Sequence, residues 1–338
     1  MSTATTTNIP STATARFAAR DAAVVCDLAP LRVIAISGAD AAVFLQGQLS
    51  ADINGLSPGA CRYASFNSPK GRMLANFVLW REQAFGDFRL LLPADIAAPV
   101  AKRLTMYTLR SKVTLSDVSS ETIRLGMGGP EGAAALRAAL GVAPAPFATL
   151  IAGTATVLGL PGPRFVVLMP LATAEATRAQ FLGHAAPAAF DVWQWLTIRA
   201  GVPVVTAATQ DAFVAQMANM DILGGIDFKK GCYTGQEIIA RMQYLGRLKE
   251  RTFLLHVDVP LASPGDRIFS AAFAEQPCGT VVNAAPAPNG GCDLLAVLQI
   301  AAAERGDARL GAPDGPPLTA LPLPYPIPAA AAPRGRVS

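Results

Sequence analysis

The residues best suited to chemistry lie in one stretch, Lys230-Gly231-Cys232-Tyr233-Thr234-Gly235-Gln236-Glu237. Thr234-x-x-Glu237 has the form of a capping box, in which a hydroxyl and a carboxylate reciprocally satisfy backbone N–H groups at a helix start. With Thr234 as N-cap, Tyr233 and Ile238 take the two positions of a hydrophobic staple. These signals predict a helix over 235–243, preceded by a short strand at 226–228 and a tight connection at Lys230-Gly231. Cys232 would then sit ahead of a helix N-terminus beside Lys229 and Lys230. The helix dipole and the ammonium groups favour thiolate, which predicts a reactive thiol with a pKa below the free value of about 8.5. Gly231 and Gly235 allow close approach of a ligand or of backbone. A well-capped helix start with a half-buried cysteine would show the same features, and the residues alone leave both readings open.

Charge collects around this segment. Six basic residues (Lys229, Lys230, Arg241, Arg247, Lys249, Arg251) face two acids (Glu237, Glu250) between 229 and 251, an excess equal to the +4 of the whole chain. Such a patch suits a polyanion, either a polyglutamyl tail or a phosphate backbone, or is simply a solvated helix end. Other chemistries find little support. His184 and His256 lie in contexts that read as structural, and no Ser/His/Asp arrangement, P-loop or dinucleotide glycine motif is legible. The five cysteines are scattered without a CxxC pair, so no metal site is expected and a reducing compartment fits best. Cys26, Cys61, Cys278 and Cys292 read as small core hydrophobes. Lys70 and Arg72 sit on a turn, where a solvated hairpin end is the simpler reading than contact with an anionic ligand.

The elements that must position these residues can be read from apolar spacing. Residues 31–36 form a strand, and a helix follows with Asp40 as N-cap. Strands are expected at 61–66, 72–80 and 88–92, a helix at 94–106 and a strand at 112–115. A second alternation runs through 123–127, 131–140, 164–169 and 173–182. Residues 191–199 form an amphipathic helix carrying Trp193 and Trp195. After Arg251, short strands between Pro- and Gly-rich turns predict a small β-barrel. The fold class is α+β. Of the 338 residues, 51% are hydrophobic and 15% charged, the composition of a globular chain. The window 138–163 has no charge, but its four prolines and four glycines mark turns and short strands rather than a membrane helix.

The octapeptide 230–237 resembles the signature of the YgfZ family of folate-binding factors for tRNA modification, which includes a related mitochondrial iron–sulfur assembly factor. Further short signatures resemble the same family: Gly38-Ala39-Asp40, Leu45-Gln46-Gly47-Gln48, Ala51-Asp52, Lys70-Gly71-Arg72-Met73, Ala200-Gly201-Val202-Pro203-Val204, Asn219, Leu223-Gly224-Gly225-Ile226, Phe228 and Leu323-Pro324-Tyr325. The likeness runs from about residue 31 to 326. It implies a three-domain, aminomethyltransferase-like ring, with tetrahydrofolate or another folate in a central channel. Expected segments are a disordered tail at 1–17, a discontinuous folate-binding domain at 18–60 and 120–247, an inserted α+β domain at 61–119, a C-terminal β-barrel at 248–328 and a frayed tail at 329–338.

Trp193 matches a tryptophan that family members stack on folate, whereas Leu31 stands where some carry another. The implied function is that of a cytoplasmic, monomeric accessory factor, with no membrane association, acting with iron–sulfur enzymes or assembly proteins and with tRNA as a further candidate partner. Cys232 is its thiol, and Lys230, Gln236, Glu237 and Arg241 shape the thiol's surroundings, with Gly231, Tyr233, Thr234 and Gly235 completing the motif. The alternatives are a folate-dependent one-carbon transferase and a direct tRNA-binding module. The transferase is disfavoured because Arg199 stands where those enzymes carry a folate-binding glutamate. Their catalytic aspartate also has no counterpart nearer than Asp95, which reads as a helix N-cap.

Overall fold

In the computed structural model, which describes residues 13–82, 86–244 and 248–328, three sheets share the chain. The chain enters through α1 (Ala13–Asp21), β1 (Val24–Asp27), β2 (Leu31–Ser37) and α2 (Ala41–Gln48). Next come β3 (Cys61–Asn67), β4 (Met73–Arg81), β5 (Phe88–Pro93), α3 (Ala94–Met106) and β6 (Thr114–Asp117). β2 to β6 form an antiparallel sheet ordered β3-β4-β5-β2-β6. β4 reads as an almost unbroken apolar run because it is buried from Met73 to Trp80. The strands and helix expected between 61 and 106 form within a residue or two. β2, however, pairs with β5 and β6, so residues 31–36 join the sheet of segment 61–119 rather than that of 18–60.

β7 (Thr122–Gly128), α4 (Gly132–Leu140), β8 (Thr149–Ala152), β9 (Ala155–Leu160), β10 (Arg164–Pro170), α5 (Ala174–Leu182), β11 (Ala186–Ala188) and α6 (Phe190–Arg199) follow. With β1 these strands make a second sheet, ordered β11-β1-β7-β10-β9-β8. β8 and β9 occupy the uncharged window, and no helix among the described residues is long and apolar enough to cross a membrane. α6 seats on β7 where Gly126 and Gly128 lie on one face. A Cβ at Gly126 would fall 2.5 Å from Trp193 Cε3, and one at Gly128 2.5 Å from Leu196 Cδ1. The two glycines therefore set the depth of α6.

Residues 201–235 form turns and extended loop without a helix or a multi-residue strand. The strand expected at 226–228 is absent, because one backbone bond from Asp227 N–H to Ser50 O (2.9 Å) ties it to neighbouring chain, too little for a ladder. After α7 (Gln236–Tyr244) come β12 (Glu250–Val257), β13 (Arg267–Phe269), β14 (Gly279–Pro286), β15 (Cys292–Gln299), α8 (Ile300–Arg305), β16 (Arg309–Leu310) and β17 (Leu318–Leu321). They form one curled sheet ordered β16-β13-β14-β15-β12-β17, not the closed barrel expected. Its edges β16 and β17 are short and meet through an isolated bridge, Arg309 to Pro317. Pro316 and Pro317 withhold amide donors where closure would need them.

The disordered tail expected over 1–17 does not hold for residues 13–17. Residues 13–17 open α1, whose Ala15 and Ala19 are buried one turn apart, and Arg16 pairs with Asp191 at 3.5 Å. Residues 1–12 and the tail 329–338 lie outside the described residues.

Candidate functional site

A cavity of about 360 Å³ opens where the three sheets meet around residues 202–206. Its walls are mainly apolar, including Leu31, Phe77, Val78, Leu91, Val166 and Trp193. One wall is backbone pinned by two asparagines from different sheets. Asn76 of β4 accepts from Val205 N–H (2.8 Å) and donates to Pro203 O (2.6 Å). Asn283 of β14 accepts from Val204 N–H (2.7 Å) and donates to Val204 O (2.8 Å). The β14 register shifts between Val281 and Asn283, a bulge of the kind that re-aims a side chain.

Trp193 is held by Gly126 on one side and by Arg164, whose guanidinium carbon lies 5.7 Å from the ring centroid. Arg164 is itself buried and fixed by Thr197 Oγ1 (2.9 Å), Tyr63 OH (3.2 Å) and Pro161 O (3.1 Å). Thr206, another lining residue, has a buried Oγ1 without a hydrogen-bond partner. An apolar slot with an aromatic wall and an unsatisfied hydroxyl suits a flat heteroaromatic ligand with polar edges.

The octapeptide forms a second feature, anchored to α2 and to the turn between β3 and β4 of the first sheet. Lys230 turns inward, and its Nζ donates to the carbonyls of Gln46 (2.7 Å), Leu49 (2.5 Å) and Ala51 (3.0 Å) around the C-terminus of α2. A cation there meets the negative end of the helix dipole, and Nζ also lies 4.9 Å from the Tyr233 ring centroid. Asp227 Oδ1 accepts from the N–H groups of Lys229 and Lys230, turning the chain into the motif. Gly235 has φ +81°, and a Cβ on it would lie 2.4 Å from Ser68 O and 2.9 Å from Gly71 Cα. The 68–71 turn and the motif thus pack glycine on glycine.

That contact overrides the capping box. Gly235 holds the cap position, its carbonyl accepting from Ile239 N–H, and α7 begins at Gln236, one residue later than expected. Gly231, Cys232, Glu237 and Arg241 are exposed, Thr234 and Gln236 are partly so, and Tyr233 is buried.

Burial lowers the Lys230 pKa to about 8, against the opposing pull of Asp52 and Asp227. A lowered lysine pKa means that between about pH 8 and 10.5 the unfolded chain binds a proton the folded chain has released. Stability from this group therefore rises with pH through that window. Unfolding titrations of the native chain and Lys230→Met at pH 7.5 and 10 should show the native chain gaining on the variant. A difference that stays flat or falls with pH would contradict the placement of Lys230.

The two features are separate. Cys232 does not line the cavity. Gly71, against the motif, and Asn76, in the cavity wall, are five residues apart along extended chain, about 16 Å. The thiol reaches solvent rather than the cavity, because Lys230 swings the loop onto α2.

The basic patch at 229–251 keeps Lys229, Arg241 and Lys249 exposed but loses two of its cations to the interior. Arg251 is buried in a bidentate pair with Asp221 (2.6 and 2.8 Å), Lys230 is internal, and Arg247 lies outside the described residues. Arg72 donates to Ala212 O, and neither it nor Lys70 lines the cavity. Asp95 is not an N-cap. Pro93 holds that position, while Asp95 sits in the first turn at the cavity and accepts from Ala207 N–H (2.9 Å). Arg199 points away to Asp293 (3.7 Å), which also accepts from Trp195 Nε1 (2.8 Å) and lies 2.8 Å from His256 Nδ1.

The signatures Gly201, Asn219 and Tyr325 prove structural. Tyr325 OH donates to Gly201 O (2.5 Å), and Asn219, at φ +55°, donates to Thr252 O (2.9 Å). Sequence reasoning missed Asn76, Asn283 and Thr206. The available signal was a single amide inside each of two apolar strands.

Solved structures place this architecture in a known class. The glycine cleavage system aminomethyltransferase T from Bartonella henselae superposes with a TM-score of 0.67, covering 91% of this chain and 87% of that one at 15% identity, a shared fold. The GCVT N-terminal domain matches residues 9–162. The tRNA-modifying protein YgfZ of Escherichia coli O157:H7 (strain EC4115 / EHEC) is 35% identical over 224 residues, 65% of this chain and 68% of the relative. That of Shigella boydii serotype 4 (strain Sb227) is 34% identical over the same shares. The chain belongs to the YgfZ family.

Proposed function

We propose that the chain is a folate-binding accessory protein that supports iron–sulfur enzymes and through them tRNA modification, with tetrahydrofolate in the cavity and Cys232 as its working thiol. The observation that carries this reading is the cavity itself, an apolar slot walled by Trp193 with the unpartnered Thr206 hydroxyl on its lining. Trp193 would stack on the pterin, Leu31 and Phe77 would pack its faces, and Thr206 would meet a polar edge. Tetrahydrofolate, when bound, supplies a carrier for one-carbon units. The protein's own contribution is to hold it dry and immobile between sheets. On this reading the protein works in the cytoplasm as a monomer, and the exposed Cys232 meets partner proteins while the folate stays enclosed about a sheet's width away.

Saturation at 100 times Kd would stabilise the folded chain by about 2.7 kcal/mol, so tetrahydrofolate should raise its Tm. Leu31→Trp restores a second aromatic wall and should tighten folate binding about 2- to 12-fold, the worth of an added aromatic pair. An unchanged Tm with excess folate, or a Leu31→Trp variant that binds no better, would count against the assigned cavity.

A second reading, a folate-dependent one-carbon transferase, is favoured by Asp95 at the cavity. Methylene-folate formed from an amine donor would support it, and folate recovered intact would oppose it.

A further inference from the structure

A cluster of unpaired charge lies away from both features, on the end of α3 and the turn that follows. Lys102, Arg103, Arg110 and Lys112 are all exposed and have no ion pair among the described residues. No acid occurs between Asp95 and Asp117. Three exposed apolar residues are interleaved with them: Met106 (68% exposed), Tyr107 (38%) and Leu109 (88%). In the last turn of α3, Lys102 and Arg103 share a face with Met106. Leu109 has φ +44°, a conformation that costs a leucine about 1–2 kcal/mol and here holds its side chain in solvent. A shallow depression runs between Tyr107–Ser111 and Asp40, whose carboxylate is engaged by Lys112 N–H (2.7 Å).

We infer that this surface binds RNA, with the four cations on phosphates and an unpaired base on Tyr107. Charge complementarity carries the assignment. Four free cations around an exposed aromatic ring match the phosphate-plus-stacking pattern of single-stranded nucleic-acid sites. An internal ion-pair network would leave fewer of them unmatched, as happens to Arg251. The position is also apt: α2 begins at this patch and ends, eight residues or about 12 Å later, under the Lys230 anchor of the Cys232 loop. The inference stands apart from the folate reading, since binding requires neither folate nor the thiol.

Fluorescence anisotropy of a labelled transfer RNA, titrated with the full chain at several KCl concentrations, tests it. Binding should weaken with salt, at a log–log slope of about −3 for four phosphate contacts on single-stranded RNA. The combined variant Lys102→Gln, Arg103→Gln, Arg110→Gln and Lys112→Gln should lose at least about 10-fold in affinity at low salt and flatten that slope. Tyr107→Ala should lose about 5- to 150-fold with the slope unchanged. Circular dichroism on both variants confirms that they fold.

Absence of RNA binding at low salt, or full binding by the quadruple variant, would overturn the proposal. So would losses that follow Lys229→Gln and Lys249→Gln instead. Indifference to Tyr107→Ala together with equal competition by polyglutamate would point to an acidic protein surface and equally overturn it.

Discussion

Replacement of Cys232 by serine should leave folding and folate binding unchanged while reducing cellular function to that of a strain lacking the protein. The thiol is exposed, has no hydrogen-bond partner among the described residues and lies outside the cavity wall. A surface exchange of this kind changes stability by no more than about 0.5 kcal/mol. The contrast with the other four cysteines is sharp. All are buried, and burial pushes their thiols up, Cys61 to about 12. Native-state alkylation should therefore modify one thiol quickly, and that thiol should be Cys232. Complementation by the serine variant, read out as the level of modified tRNA, is the functional check. Restoration to the native level would remove the thiol from the mechanism, whatever its reactivity.

Trp193→Ala should produce the largest loss of stability. The indole is 5% exposed, packs against Gly126 of β7 and lines the cavity, so truncation enlarges an existing cavity. Aromatic truncations in cores cost about 3–5 kcal/mol. Chemical unfolding should therefore show a midpoint shift that no exposed-site variant approaches. Because that variant could unfold before it binds, Trp193→Phe separates the roles. It keeps an aromatic ring and most of the volume, and should weaken folate by about 2- to 12-fold through poorer stacking. A Trp193→Phe chain that binds folate as tightly as the native one would reduce Trp193 to a core residue. Retained stability in Trp193→Ala would contradict its packing.

Much of this was legible because local and global demands agree. The runs of β3, β4 and β5 and the amphipathic α3 and α6 carry their periodicity openly, and the octapeptide advertises a helix start. The failures arise where a distant contact outweighs a local rule. Gly235 is pressed against Ser68 and Gly71, so the cap moves to the glycine and the Thr234 box goes unused. Lys230, close to Cys232 in sequence, spends its charge on the α2 carbonyls 179 to 184 residues earlier. Two of the charges in the patch at 229–251, Lys230 and Arg251, are taken up by tertiary contacts, whereas the patch at 102–112 carries no motif that marks it in the sequence. Asn76 and Asn283 work as a pair only once two sheets face each other across residues 203–205.

The proposed role of the protein depends on folate occupying the hollow beside Trp193. Isothermal calorimetry of the full chain with tetrahydrofolate tests it directly, run in parallel on Trp193→Phe. Saturable binding of one folate per chain is expected, weakened in the variant while its fold is retained. No heat of binding at saturating folate, or binding indifferent to Trp193, would contradict it.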